Sequence, residues 1–317
     1  MIEQFSQYFV YDVFKLSRQS QIGSSLDFFV YDSIKIFLLL IIVTHLMSWL
    51  RAYLPLEKIR DIINSKKFYG LDYLLASIFG AITPFCSCSS IPLFVGFVGA
   101  GVPLGVTFAF LITSPLVNEV ALTLFAGLFG LKVTIIYAVS GIMLGVIGGM
   151  ILGRLKIEKY IDNKFLNITP AQVDKNGTRI ITFKKISREA FDIINKIYIY
   201  ILVGIAIGAL IHGYVPTGYF EGYLSGQTWW SVPVAVILAV PLYSNASGVI
   251  PIIQALVAKG VPLGTALAFM MATVGLSLPE ALMLKRVMKL KLLLIFFATV
   301  TISIIILGYL FNINMIY

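Results

Sequence analysis

The chain has 317 residues, 59% of them hydrophobic and 12% charged, with a mean hydropathy of +0.93 and a formal net charge of +9. Soluble globular proteins carry about 25% charged residues, so a soluble fold is excluded and an integral membrane protein is indicated. The positive charge sits in a few loops between apolar blocks, which argues against a nucleic-acid partner.

From the N-terminus, Glu3 to Ser17 places Phe5, Phe9, Val13 and Phe14 at helical spacing, which predicts a helix lying on the membrane surface; a plain soluble lead-in is the alternative. Eight apolar blocks follow, at about 34–50, 70–83 continuing into 91–100, 103–128, 131–153, 196–215, 231–258, 262–284 and 291–311, and about 18 or more apolar residues suffice to cross a bilayer as a helix. No cleavable signal is expected, because the first strongly apolar block begins after residue 33 with no A-x-A site behind it. The predicted organisation is an interfacial segment (1–32), a first transmembrane repeat (33–153), a basic cytoplasmic loop (154–195) and a second transmembrane repeat (196–317).

The repeat is visible in the residues. Pro84-Phe85-Cys86-Ser87-Cys88-Ser89-Ser90-Ile91-Pro92, followed by Gly101-Val102-Pro103-Leu104-Gly105, recurs as Pro241-Leu242-Tyr243-Ser244-Asn245-Ala246-Ser247-Gly248-Val249-Ile250-Pro251, followed by Gly260-Val261-Pro262-Leu263-Gly264. Aligned without a gap, Ile91 to Ser114 and Ile250 to Thr273 share 10 of 24 positions. Pro-interrupted apolar segments at corresponding places in two halves point to the substrate site of a secondary transporter. Unwound backbone survives at membrane depth only where protein buries it or where it lines a wet cavity.

Charge then restricts the topology. Loop 51–67 carries five basic residues against two acids, loop 154–188 nine against three, and 285–291 adds Lys285, Arg286, Lys289 and Lys291. The positive-inside rule puts all three in the cytoplasm, whereas Gly213–Trp230 and the uncharged tail after Leu310 belong outside. Eight full crossings would put the first two loops on opposite faces. The conflict disappears if 70–100 and 230–260 are re-entrant hairpins, leaving three crossings per half and two halves of opposite orientation. The expected fold is therefore an all-α polytopic membrane protein of two inverted repeats, each with three spanning helices and a Pro-broken hairpin. The rival has eight or more spanning helices with kinks.

Cys86 and Cys88 are the only cysteines. On an extended or turning tip, alternate residues point the same way, and soft thiolates suit copper(I), zinc or trivalent arsenic. Two small apolar fillers are the plain alternative, and the spacing argues against a structural disulfide. Ser87, Ser89 and Ser90 flank the thiols, while Tyr243, Ser244 and Asn245 occupy the second tip; these groups either contact a polar cargo or satisfy broken-helix backbone. Glu119 and Glu280 lie inside apolar helices in matching parts of their repeats, where a carboxylate is expensive and marks an ion path or proton relay. Glu119 is the stronger candidate, since Glu280 has Lys285 and Arg286 nearby and fits a helix end at the interface. Asn118 either binds cargo or fills a break after Pro115. His45 and His212, near segment ends, are read as structural, the glycines from Gly141 to Gly153 as close packing, and Trp229 with Trp230 as interfacial anchors. There is no P-loop, no basis for a Ser-His-Asp set and no cofactor motif, so no enzyme and no cofactor are expected.

The stretch Thr83 to Pro92 with its T-P-F-C-S-C-S string, then Gly101-Val102-Pro103 and Thr113-Ser114-Pro115-Leu116-Val117-Asn118-Glu119, resembles the predicted-permease family that includes the ArsP-type organoarsenical exporters. The resemblance implies efflux of trivalent organoarsenicals, such as methylarsenite and reduced aromatic arsenicals, without ATP, from the cytoplasmic membrane. It makes Cys86 and Cys88 arsenic-thiolate candidates, with Glu119 and Glu280 carrying a coupling proton. The expected partners are the bilayer and a small thiophilic cargo, with a homodimer left open. Export of a soft metal ion or movement of a sulfur-containing metabolite is the first alternative. A membrane thiol-disulfide oxidoreductase is the second.

Overall fold

The computed structural model describes residues 2–18, 20–53, 70–83, 87–99, 101–155, 160–161, 229–241, 246–258 and 260–314, with isolated helical positions between 187 and 209. Among these residues everything regular is helical apart from a lone bridge between Ile161 and Met288. The helices are α1 (Ile2–Gln7), running into a π-helical turn (Tyr8–Val13), then α2 (Gln21–Tyr53), α3 (Leu71–Ile82), α4 (Ser87–Gly99), α5 (Leu104–Leu116), α6 (Glu119–Arg154), α7 (Ser231–Ala239), α8 (Ala246–Ala258), α9 (Leu263–Gly275), α10 (Leu278–Val287) and α11 (Leu290–Asn314). The duplication read from the residues governs the backbone as well. Ser87, Leu104 and Glu119 open helices, and Ala246, Leu263 and Leu278 do so again, 159 residues later in each case.

Among the described residues two stretches, Ala121–Arg154 and Leu290–Ile313, are long and apolar enough to cross a membrane. The first is not straight. Gly130 adopts φ 81°, ψ 165°, a left-handed conformation that suits glycine, and the Phe125 and Tyr137 rings lie 4.8 Å apart although twelve residues separate them, about 18 Å along an unbroken helix. Residues 119–129 and 131–154 therefore form a helical hairpin. By contrast α3, α4, α5, α8 and α9 have 12 or 13 residues, about 20 Å each, too short for a hydrocarbon core of roughly 30 Å. The blocks 103–128 and 262–284, expected as single spanning helices, are each divided, at Val117-Asn118 and at Leu276-Ser277.

Where the short helices begin is fixed by glycine contacts. A Cβ on Gly105 would lie 2.7 Å from Gly153 Cα and one on Gly70 2.8 Å from Met150 Cε, so α3 and α5 both start at the Arg154 end of α6. They run side by side, since Gly80 packs on the Phe110 carbonyl and Ser114 amide. In the second half Ser231 bonds Thr265 at 3.3 Å, Asn312 bonds the Thr265 hydroxyl at 3.1 Å, and Gly264 packs on Gly308. There α7 and α9 both start at the Asn312 end of α11.

The ends of the basic segments gather. Met150 stands by Gly70, which follows the 51–67 loop, and ten residues on from Met150 the Tyr160 carbonyl accepts from Lys289 N at 2.8 Å while Lys291 lies over the Tyr160 ring. Toward the far end of α11 the Tyr309 hydroxyl donates to Trp229 O, at the close of one of the segments expected outside and just before the other. The N-terminal helix folds back on α2, with Ser6 bonding Asp27 and Val10 fully buried, and leaves Phe5, Tyr8, Val13 and Phe14 exposed.

Candidate functional site

The first hairpin's tip is set by its two neighbours. α3 stops at Thr83, whose backbone turns extended (ψ 128°) and whose hydroxyl donates to the Phe79 carbonyl at 2.7 Å. α4 opens at Ser87, and its fully buried Ser90 shares a 2.6 Å hydrogen bond with Ser114, near the end of α5. That bond fixes depth. α5 lies antiparallel to 131–154 with Gly105 at Gly153 and Val117 at Gly141, so Val117 stands 12 residues, about 18 Å, along a stretch about 36 Å long. The start of α4 is therefore level with the middle of the 131–154 helix.

Cys88 and Ser89 fall in the first turn of α4, and Ser87 opens it. The helix thus begins at Ser87, inside the C-x-C pair for which an extended or turning tip is expected. Cys86 precedes the helix and lies outside the described residues, as do Tyr243, Ser244 and Asn245 of the second tip and His212.

The break after α5 is closed by side chains. Asn118 Oδ1 accepts from Ala121 N at 2.8 Å and its amide donates to the Pro115 carbonyl at 3.4 Å, so Asn118 caps α6. The Leu116 carbonyl, released from the helix by the break, accepts from the buried Tyr137 hydroxyl at 2.8 Å. Ser114 and Tyr137 escaped the sequence reading. A lone hydroxyl in the apolar run Ile135-Ile136-Tyr137-Ala138 is the signal that pointed to the second.

The two breaks meet. α5 packs against α9, and a Cβ on Gly275, the last residue of α9, would lie 2.9 Å from Leu116 Cδ2, at the last residue of α5. Around this junction α4 packs on α10 and α8 on α6, so each hairpin's second helix reaches across to the other half.

The carboxylates part company here. Glu119 directly follows its cap and is exposed, whereas Glu280 comes three residues after Ser277, is 1% exposed, and has no hydrogen-bond partner for either oxygen among the described residues. At the 159-residue offset Glu119 matches Leu278 and Glu280 matches Ala121, itself fully buried. Two helical positions turn through about 200°, so the carboxylates take opposite faces of equivalent helices. Among the described residues no three His, Cys, Asp or Glu side chains converge as a metal site. His45 bonds its own helix through the Ile41 carbonyl at 2.8 Å.

No solved structure matches the chain. Curated relatives do: UPF0718 protein MJ0584 of Methanocaldococcus jannaschii is 22% identical over 312 residues, covering 78% of this chain and 86% of its own. UPF0718 protein YraQ of Escherichia coli is 24% identical over 262 residues, covering 82% and 73%. UPF0718 protein YcgR of Bacillus subtilis is 25% identical over 170 residues, covering 53% and 56%. The family described as a predicted permease matches residues 21–313, and with that match over most of its length the chain belongs to the predicted-permease family as a helical membrane protein.

Proposed function

We propose that this permease exports trivalent organoarsenicals across the cytoplasmic membrane by ATP-independent alternating access, coupled to protons, with its two halves inverted relative to one another. The inversion is supported by α3 and α5 starting at the end of the bundle where the basic segments gather, and by α7 and α9 starting at the Trp229 end. Both hairpins then return to the side they entered, and the broken crossings α5 with 119–129 and α9 with α10 meet at mid-depth. Discontinuous helices meeting at the midplane are the usual place for a carrier's cargo.

The observation that carries the reading is the Ser90–Ser114 bond, which sets the start of the cysteine-bearing helix halfway into the layer. Soft sulfur there meets a soft, uncharged arsenical. Binding proceeds by ligand exchange: each Cys86 or Cys88 thiol forms a bond to arsenic, one arsenic–thiol bond to a cellular thiol breaks, and the proton leaves with the departing thiol, so arsenic stays trivalent throughout. Reversal of the exchange on the far side releases the cargo. Ser87, Ser89, Ser90, Asn118, Tyr243, Ser244 and Asn245 shape the pocket, and Glu119 and Glu280 are the carboxylates available for the proton.

Everted vesicles test this. Methylarsenite uptake is expected with an imposed proton gradient and is expected to fall at least tenfold on its collapse or in Cys86→Ser and Cys88→Ser variants. Absence of uptake in the parent protein refutes the arsenical reading, and unaltered uptake in both variants refutes thiol ligation.

A further inference from the structure

Glu280 is sealed from solvent with neither oxygen bonded among the described residues. A buried polar atom without a partner is costly, so its presence calls for an occupant that the described residues do not supply. Ser277, the buried cap of α10, makes no side-chain bond to the helix, and Pro279 has no N–H to offer. Of the elements packed on α10, α4 contributes Cys88 as its only titratable residue and α11 contributes Lys291 and Tyr309; α10 itself adds Lys285 and Arg286, more than a turn beyond Glu280.

The surroundings of that first turn follow from helix direction. α4 starts at the level of Ser114 and ends at the turn where Val102 N bonds the Phe97 carbonyl, next to the start of α5. α10 starts beyond the Gly275–Leu116 contact and ends at Met288, bridged to Ile161. Both therefore run from mid-depth to the end where the basic segments gather, and they pack together. Their first turns, Ser87–Ser90 and Leu278–Ala281, therefore both fall near the junction of α5 and α9, in helices that pack on one another. Cysteine occurs only in the first half, and the buried carboxylate register is filled only in the second, its counterpart being Ala121. Each half supplies what the other lacks.

Resting on the carrier reading above, we propose that Glu280 and the first turn of α4, which carries Cys88, form one composite site across the α4–α10 seam, in which Glu280 holds the coupling proton and a group bound on Cys88 shuts the carboxyl off. Cargo and proton then occupy the seam in turn, which is what an antiporter requires. Glu119, on the exposed face of α6, stands outside this site.

Dicyclohexylcarbodiimide, an apolar reagent that adds to protonated carboxyl groups, reads the seam directly in the full chain held in lipid nanodiscs. Peptide mass spectrometry is expected to find Glu280 modified at least tenfold faster than Glu119. Prior alkylation of the thiols with N-ethylmaleimide should slow modification of Glu280 at least tenfold, and the maleimide should have no effect in a C88S variant. An unmodified Glu280, or a rate in the parent protein indifferent to thiol alkylation, overturns the composite site. Neither reagent is an arsenical, so a further arm separates the two ideas. Should phenylarsine oxide give no protection where maleimide does, the arsenical reading falls and the composite site stands.

Discussion

The two halves share one helix crossing and differ on either side of it. At the crossing, Gly105 meets Gly149 in the first half and Gly264 meets Gly308 in the second, with backbone against backbone in both. Away from it, the first half continues the approach with Gly141 against Val117, Gly145 against Thr113 and Gly153 against Gly105. At the positions of Gly141 and Gly145 the second half has Val300 and Ile304, both buried, and at the position of Gly153 it has Asn312, bonded to Thr265. Small residues let membrane helices touch along their length. The first half is thus held close over about three turns, from the mouth of its hairpin to mid-depth, while the second is closed at its mouth by a polar clasp and filled elsewhere by branched side chains.

The shared crossing should be the least forgiving point of both. A Cβ on Gly264 would overlap the Gly308 carbonyl and lie 2.6 Å from Asn312 N, and one on Gly105 would lie 2.8 Å from the Gly149 carbonyl. Backbone cannot swing aside as a side chain does. G264A and G105A are each expected to cost about 3 kcal/mol through overpacking, read as a lower thermal midpoint in detergent. A harmless G264A alongside a damaging G105A would show that the crossing is not shared.

Gly145 probes the difference itself. Its Cβ would overlap Thr113 Oγ1 and stand 2.9 Å from Ser77 Oγ and 3.0 Å from the Ala109 carbonyl. G145A is expected to cost about 2 kcal/mol. The second half accommodates Ile304 at this place opposite Ala272, the counterpart of Thr113, so T113A/G145A should recover part of the loss. Failure of that rescue would mean that the helices cannot separate here, and that the two halves are not interchangeable solutions.

How far these features were legible in the residues depends on whether they are periodic or positional. The Pro-Gly punctuation of Gly101-Val102-Pro103 and Gly260-Val261-Pro262 announced both loops, because proline and glycine act on the backbone wherever they stand. The carboxylates were harder. Glu119 and Glu280 looked equivalent along the chain, yet which face each takes is decided by its distance from the helix break, one residue after Asn118 and three after Ser277, and an apolar run does not display where it breaks. Pairings such as Ser90 with Ser114 or Gly145 with Thr113 depend on which helices adjoin, which composition leaves open.

The polar clasp of the second half is expected to matter less than either glycine seam. Asn312→Ala removes the bonds to the Thr265 amide and hydroxyl. Hydrogen bonds between membrane helices average about 0.6 kcal/mol each, so a loss near 1 kcal/mol is expected, with Gly264 still holding the crossing. A loss as large as that of G264A would make the clasp, rather than the glycines, the determinant of the second half's closure.

The smallest stability effect belongs to the bond that fixes the cysteine helix. Ser90→Ala forfeits the contact with Ser114, worth about 0.6 kcal/mol on the same scale, and the second half places Val249 and Thr273 at these positions and still buries both. The pair is therefore dispensable to the fold, and its consequence lies in where α4 begins. Ser90→Ala should leave the thermal midpoint within a few degrees of the parent while changing the alkylation rate of the tip thiols severalfold, because the first turn of α4 is no longer tied to the end of α5. A variant with both the midpoint and the thiol reactivity of the parent would show that the Gly80 contact with α5 sets the depth of the hairpin by itself, and that the hydroxyl pair only occupies the space between two helices already placed.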